Sequence, residues 1–507
     1  MPAQKLTNLF LYIGIFAYFC RKFSIMQNDN HMEKHFKPYA LVALAAMFVT
    51  VFSYTTSPLY SELGDTPDSP IFQIIGKYWA EGAIPYKDLW DLKGPYIFLI
   101  NAIGYGLTGT RTGVYLLQIV FMTFTLLGIF KIYRLHYPAR RAMVMTSISL
   151  LPLSYIYEGG NLTEEYLLPF LSFSFYYILQ WINETERNPK TTHFPVYAIL
   201  YGVVLGLGLM SRLTNALSLC SATAVIAFTL LCKKEYKNLG LNACAFIVGF
   251  GCTTLPFFLY FDCHHALTEM WNATFLYPIE YARNSTKNIT DTGLHYFILS
   301  YCSSILLLVT AAVLVVRYRK MTIRAWLWFI AAFLPFLWFC QGNGFGHYGM
   351  IVFPLFAIAM IEISNLRLKT MFVSVIAIML IASASKFRYM YILYNWQNTE
   401  VADCREFLKK ISDIDYSSFV AYNCTPNIYL DLDIRPAVPF FSLQDFAISR
   451  NLQLRNDIVS SFQEKQVEWI LLSEDDTEQP YIQPILNKYY HIAATQKKGN
   501  LFLYKKK

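Results

Sequence analysis

The stretch from residue 112 to residue 132 reads TGVYLLQIVFMTFTLLGIFKI, and Lys131 is its only charged residue. A helix of about 20 apolar residues spans the roughly 30 Å hydrocarbon core of a bilayer. Similar runs recur along the chain, in which 55% of the 507 residues are hydrophobic and 15% are charged. The sequence therefore predicts a mainly α-helical, polytopic membrane protein.

Eleven apolar runs are long enough to cross a membrane or nearly so. They lie at residues 39–54, 112–132, 142–157, 165–182, 196–211, 214–232, 239–261, 294–316, 325–340, 348–364 and 370–385. With the first span directed outward, the short inside loops hold 15 Lys and Arg, and the longer outside loops before the tail hold 7. This bias sets the orientation, and it attributes the net charge of +8 to membrane topology and not to nucleic-acid binding.

The chain is predicted to have three parts. Residues 1–38 are an N-terminal segment, either an extra helix or a misassigned start. Residues 39–394 form the transmembrane domain, with a total of about 11–13 spans and a large outside loop at 55–111. Within that loop the short apolar segment Tyr96–Leu107 is predicted to lie in the outer interface. Residues 395–507 are predicted to be a soluble α/β domain on the extracytoplasmic side.

Helix-like and strand-like segments alternate in this tail. They are Val401–Ile411, Ser418–Tyr422, Asn451–Lys465, Glu468–Ser473, Tyr481–Tyr489, Ile492–Thr495 and Leu501–Tyr504. Cys404 and Cys424 lie in the tail and could pair if the compartment is oxidising, but sequence alone does not pair them.

The polar side chains that lie near the membrane concentrate on the outside face. The first loop carries Asp65 and Asp68, followed by Asp91 and Lys93 just before the short apolar segment. A lysine and carboxylates at the lipid boundary suit a substrate with a lipid tail and an anionic head. The alternatives are that Asp68 caps a helix and that Asp91 and Lys93 form an interfacial salt bridge.

Three further outside segments carry candidate residues. Glu164 and Glu165 stand at the mouth of a span, where they either form part of a site or favour the positive end of a helix that Thr163 caps. Arg212 lies in a tight turn between two spans, where it is either functional or directed to the interface. A glycine-rich turn contains His347 and Tyr348.

These motifs and their order resemble those of the bacterial GT-C glycosyltransferases of the protein O-mannosyltransferase and lipid A aminoarabinose transferase type. The resemblance rests on an early acid and on PYKDLWDLKGP at residues 85–95, followed by an apolar stretch. It continues with TEE at 163–165, SRLT at 211–214, GHY at 346–348 and a soluble tail. The resemblance implies a GT-C fold and transfer of a sugar from a polyprenyl-phosphate donor to a lipid, glycan or protein acceptor.

The resemblance also implies roles for individual residues. Asp68, or Asp65, would be the general base, because many relatives carry a second acid after the first and Ser69 stands there. Lys93 and Asp91 would lie at the donor phosphate, and Arg212 matches a residue there.

Glu164, Glu165, His347 and Tyr348 would belong to the acceptor or substrate pocket. No cofactor is required by the resemblance, and Asp91 with Glu164 and Glu165 are the candidates for holding a divalent cation. The setting would be the bacterial inner membrane, with the first loop and the tail outside.

Two other classes of membrane protein remain as alternatives. A lipid-linked glycan transporter or flippase would be expected to show repeated halves and ionisable residues near the middle of spans. A polysaccharide polymerase or ligase would be expected to depend on a large late loop. This chain shows no internal repeat and has its richest acidic cluster in the first loop.

Overall fold

In the computed structural model most of the chain is helical, and a small sheet lies near the C-terminus. The structure describes residues 39–60, 68–284, 294–341, 345–395, 399–422, 424–442, 452–464, 467–473, 482–496 and 500–507. The predicted N-terminal segment 1–38 and the candidate base Asp65 lie outside these residues.

The helices up to residue 395 carry the apolar runs. They are α1 (Tyr39–Phe52), α2 (Asp68–Ala80), α3 (Pro95–Thr108), α4 (Arg111–Arg134), α5 (Ala139–Ile156), α6 (Leu168–Arg187), α7 (Pro195–Leu209), α8 (Leu217–Cys232), α9 (Tyr236–Cys263), α10 (Leu267–Trp271), α11 (Tyr277–Asn284), α12 (Leu294–Ser300), α13 (Cys302–Tyr318), α14 (Ile323–Gln341), α15 (Phe353–Asn365) and α16 (Lys369–Asn395). Short 3₁₀ helices precede α6, α8 and α15, at Glu165–Leu167, Leu213–Ala216 and Gly346–Val352.

Six stretches of the described chain are long and apolar enough to cross a membrane. They are Arg111–Arg134, Leu213–Cys232, Tyr236–Cys263, Ile323–Cys340, Gly346–Asn365 and Lys369–Tyr394. Three shorter helices, α1, α7 and α13, are apolar as well. The multi-pass character is thus confirmed, whereas the total of about 11–13 spans stays a prediction.

Helix α3 coincides with the short apolar segment of the first outside loop. Its 14 residues reach about 21 Å, which is less than the hydrocarbon thickness of a bilayer. The helix ends where Gly109 adopts a left-handed conformation, with φ of 68°. Helix α4 then begins at Arg111, and the side chain of the preceding Thr110 caps it by accepting a hydrogen bond from the Thr112 N–H. Helices α3 and α4 therefore follow one another through a sharp turn.

A buried arginine joins α6, α14 and α15 at the end of the bundle that is predicted to face inward. Arg324 donates to both carboxylate oxygens of Glu186 at 2.8 Å and to the Asn183 side chain at 2.6 Å. It also donates to Glu362 at 2.6 Å, and that carboxylate accepts from the Trp328 indole at 3.1 Å. Because Glu362 is only 2% exposed, removing its partner would leave a buried charge uncompensated.

We predict that Arg324→Met lowers the free energy of unfolding by about 3 kcal/mol, because a buried ion pair is broken from one side. Thermal unfolding of the detergent-purified protein measures this change. Lys320→Ala, at an exposed position just before α14, should leave the stability unchanged. Equal stability of the two variants would contradict a structural role for Arg324.

The tail contains a four-stranded sheet in the order β1-β2-β4-β3. The strands are β1 (Phe419–Ala421), β2 (Trp469–Ser473), β3 (Tyr490–Gln496) and β4 (Leu501–Lys506). Strands β1 and β2 are parallel, and the other two pairings are antiparallel. The helices are α17 (Thr399–Lys409), α18 (Asn427–Asp431), α19 (Leu452–Glu464) and α20 (Gln483–Tyr489). This confirms the predicted small α/β unit, in which no disulfide joins Cys404 and Cys424.

Candidate functional site

Asp68 and Lys93 come together across the first outside loop. Asp68 is the first residue of α2, and Lys93 lies just before α3. The Lys93 Nζ stands 3.6 Å from the Asp68 Oδ2, and the two side chains are 23% and 24% exposed. The ammonium also lies 6.0 Å from the centre of the Phe72 ring. An ion pair that is only partly open to solvent keeps one acid and one cation accessible to a ligand.

Asp91 lies beneath this pair and is 3% exposed. Its Oδ2 accepts a hydrogen bond from the Lys93 backbone N–H at 3.2 Å. Burial, together with the negative charge of Asp68, raises the pKa of Asp91 to about 6, although Lys93 works in the opposite direction. Burial disfavours the charged form of Lys93, but Asp68 and Asp91 outweigh it and hold the pKa of Lys93 above its ordinary value. Lys93 is therefore a permanent cation.

The backbone on either side of Lys93 is fixed to the turn that carries Arg212. The Gly94 N–H donates to the Ser211 carbonyl at 2.9 Å, and the Tyr96 N–H donates to the Met210 carbonyl at 2.8 Å. A Cβ at Gly94 would lie 2.3 Å from the Met210 carbonyl oxygen, so only glycine allows this approach. These contacts place the segments of Lys93 and Arg212 side by side.

We predict that Gly94→Ala separates the two segments and lowers the free energy of unfolding by about 1–3 kcal/mol, because the methyl group has no room. Gly106→Ala in α3 is the matched control, since a Cβ there meets nothing within 4 Å. Thermal unfolding of both purified variants is the measurement. A Gly94→Ala protein as stable as Gly106→Ala would refute the close approach.

Arg212 is held between a carboxylate and an aromatic ring. Its Nη1 lies 3.4 Å from the Glu164 Oε1, and its guanidinium carbon lies 3.6 Å from the centre of the Tyr348 ring. The Glu164 side chain is 2% exposed, whereas that of Arg212 is 28% exposed. The Lys93 ammonium is within electrostatic range of both Arg212 and Tyr348. The two cations therefore belong to one site.

Thr163 does not cap the helix that follows it. Its hydroxyl donates to the Glu164 Oε2 at 2.9 Å and accepts from the Asn215 side chain at 3.2 Å. The start of the 3₁₀ turn has no side-chain capping bond. Glu164 is thus oriented toward Arg212 by its neighbour, which favours the site interpretation of this acid over the capping one.

Glu165 has a different environment, although it is adjacent to Glu164. Its carboxylate accepts from the Tyr157 hydroxyl, from the Gln118 amide at 3.0 and 3.2 Å and from the Asn161 N–H at 2.7 Å. With 1% exposure it is an internal anchor of the loop. Asn161 extends the network by donating to Ser69, the residue after Asp68, at 3.0 Å.

The candidate cation ligands do not form a cluster. Among the residues that the structure describes, no group of three or more His, Cys, Asp and Glu side chains could hold a metal ion. Asp91 faces Lys93, Glu164 faces Arg212, and Glu165 is occupied by neutral donors. A fixed cation already accompanies each of the first two acids, so this donor set does not fit a divalent ion.

His347 forms the last part of the site through an acid that sequence reasoning missed. Its Nδ1 lies 2.5 Å from the Glu158 Oε2, and its ring contacts the Tyr348 ring edge-on, with centroids 4.6 Å apart. Glu158, Gln118 and Asn161 were not singled out from the sequence as site residues. A Glu-Gly-Gly-Asn run that is separated by two residues from the acidic pair was an available signal.

The tail also contacts the first loop. The Trp90 backbone N–H donates to the Pro439 carbonyl at 2.9 Å, and the centroids of the Trp90 and Phe440 rings lie 5.2 Å apart. An ion pair between Lys77 and Asp433 adds a second contact. The described part of the tail is therefore packed against the segment that carries Asp91.

We predict that Asp91→Asn stabilises the protein at neutral pH but not at pH 4. The Asp91 carboxyl group holds its proton more tightly in the folded protein than in the unfolded chain. The free energy of unfolding of the wild type therefore falls by about 3 kcal/mol as the pH rises from about 4 to above 6. The uncharged amide avoids that loss. Melting temperatures across the pH range test this, with Asp262→Asn at an exposed position as control. A constant difference between wild type and Asp91→Asn at every pH would contradict it.

Comparison with solved structures identifies the fold. ArnT from Cupriavidus metallidurans bound to undecaprenyl phosphate matches with a TM-score of 0.55 and 14% identity, over 92% of this chain and 97% of that chain. The Archaeoglobus fulgidus oligosaccharyltransferase tethered with an acceptor peptide matches with a TM-score of 0.49 and 12% identity, over 94% and 75%. The fold assignment rests on the first match, and it confirms the predicted GT-C architecture.

Comparison with protein families identifies the family. No curated protein matches the sequence. The family model described as "Putative competence-induced protein Ccs4 N-terminal domain" matches residues 27–373, which is more than half of the chain. The chain therefore belongs to the competence-induced Ccs4 N-terminal domain family.

Proposed function

We propose that this protein is a glycosyltransferase that moves a sugar from a polyprenyl-phosphate donor to a lipid, glycan or protein acceptor. The observation that carries the proposal is the partly exposed pair of Asp68 and Lys93, with Arg212 on the adjoining turn, on a fold shared with ArnT. ArnT was solved bound to undecaprenyl phosphate. A lipid phosphate presented at a membrane boundary needs cations of this kind.

Asp68 is the general base of the proposed reaction, with Asp65 as the alternative. The acceptor hydroxyl attacks the anomeric carbon of the donor and gives its proton to the carboxylate. The bond from that carbon to the phosphate oxygen breaks, and the phosphate keeps the electron pair. Attack from the face opposite the phosphate inverts the configuration. The Lys93 Nζ, 3.6 Å from the Asp68 Oδ2, holds this carboxylate in place before the acceptor binds.

Lys93 and Arg212 stabilise the departing lipid phosphate. Positive groups that are fixed where negative charge develops contribute about 10²–10³-fold in rate each. Arg212 is suited to this role because its guanidinium is planar and can donate two parallel hydrogen bonds to a phosphate. Asp91 and Glu164 compensate the two cations in the absence of donor, which limits their mutual repulsion.

The proposed setting is a bacterial inner membrane, with the first loop and the tail outside the cell membrane. Inside-loop enrichment in Lys and Arg supports this orientation. A lipid-linked donor also suits the outer face, where nucleotide sugars are not normally present. In this arrangement the membrane delivers the donor and the aqueous side delivers the acceptor.

We predict that Asp68→Asn and Lys93→Met each reduce the rate of transfer by about 100-fold or more. The measurement is transfer in vitro by the purified full chain from a panel of undecaprenyl-phosphate pentoses and hexoses. Lys237→Met, at an exposed position on the predicted inner side, should transfer at the wild-type rate. Full activity in folded Asp68→Asn and Asp65→Asn proteins would disprove the assignment of the base.

A further inference from the structure

We propose that Glu158 and His347 are positioning residues that hold Arg212 at the donor phosphate through the ring of Tyr348. The inference rests on the proposed function, since it assigns a task to residues beside that site. It is carried by an unbroken series of contacts in which each member fixes the next. The series runs from Glu158 through His347 and Tyr348 to Arg212 and ends at Glu164.

The first member is fixed by its backbone. Glu158, Gly159, Gly160 and Asn161 all have positive φ, at 42°, 89°, 74° and 57°. A left-handed conformation costs a residue other than glycine about 1–2 kcal/mol, so two of these four are held there by their surroundings. A Cβ at Gly159 would lie 2.5 Å from the Tyr54 ring, so this run packs tightly against its neighbours. The backbone position of Glu158 is set accordingly.

The second contact joins Glu158 to His347, which belongs to a cluster of aromatic rings. The Glu158 carboxylate holds the His347 Nδ1 at 2.5 Å, and the imidazole side chain is 13% exposed. One face of the imidazole stacks on Phe345, with centroids 5.6 Å apart and planes 20° apart. The Tyr348 ring meets the imidazole at 83°. A rotation of the His347 side chain would therefore remove the ring against which Tyr348 packs.

The third contact uses the face of Tyr348. The Arg212 guanidinium lies 3.6 Å from its centroid, well within the distance of a cation–π interaction. Stacking fixes the plane of the guanidinium, and Glu164 at 3.4 Å fixes its rotation in that plane. The N–H groups on the remaining edge then point in a defined direction, as bidentate binding of a phosphate requires.

Both ends of the series are anchored by one loop. Glu158 and Glu164 lie six positions apart in the same loop, and Glu165, the residue after Glu164, binds that loop to Gln118. The loop thus binds His347 through Glu158 at one end and Arg212 through Glu164 at the other. A lysine at position 212 would carry a positive charge but no planar guanidinium to stack on the Tyr348 ring, so this arrangement is specific for arginine.

The test is a double-mutant cycle on binding of undecaprenyl phosphate to the detergent-purified full chain. Glu158→Gln and His347→Phe should each weaken binding about tenfold in the presence of Arg212, with the donor KM affected more than kcat. In an Arg212→Ala background the same changes should have no further effect, because they act through the guanidinium. Glu158→Asp should recover part of the affinity, and Glu269→Gln, exposed on α10, should bind as wild type.

The outcomes separate this inference from the proposed function. Wild-type affinity in both Glu158→Gln and His347→Phe would overturn it, as would losses that persist in the Arg212→Ala background. His347→Phe keeps the ring, so it guards against a variant that merely fails to fold. Binding by the wild type without transfer from any donor would overturn the proposed function alone, and the cycle would still decide the role of Glu158.

Discussion

Two backbone hydrogen bonds, from Gly94 to Ser211 and from Tyr96 to Met210, hold together the segments that bring Lys93 and Arg212 to one place. Two cations side by side repel each other, so the approach requires compensation. Asp68 and Asp91 supply it for Lys93, and Glu164 supplies it for Arg212. The acids of the site thus have a structural task before they have a chemical one.

The charged residues of the first loop were readable from the sequence because they interrupt apolar surroundings. Asp68, Asp91 and Lys93 stand next to an apolar helix, and such residues near a membrane are expensive unless they have a purpose. The tail was readable for a related reason. The alternation of helix-like and strand-like segments predicted a strand at 418–422, and the structure has Phe419–Ala421 there.

Contacts that depend on a turn or on distant segments were not readable. Glu164 and Glu165 are adjacent, yet a 3₁₀ turn directs one to Arg212 and the other to Gln118, and no periodicity separates them. The packing of Trp90 against Phe440 joins positions 350 residues apart, which spacing along the chain cannot reveal. The role of Asp65 stays a prediction, because it lies outside the described residues.

The acidic loop also has a place in the order of synthesis. Its partners Ser53, Ser69, Asn101 and Gln118 all precede it in the chain, one from each of the segments that end or contain α1 to α4. Because chains are made from the N-terminus, this loop can form the hydrogen bonds to these four residues before residue 212 leaves the ribosome. Arg212 and His347 then enter a bundle in which their partners Glu164 and Glu158 are already in place. The two ion pairs can therefore set the register of the helices that are made later.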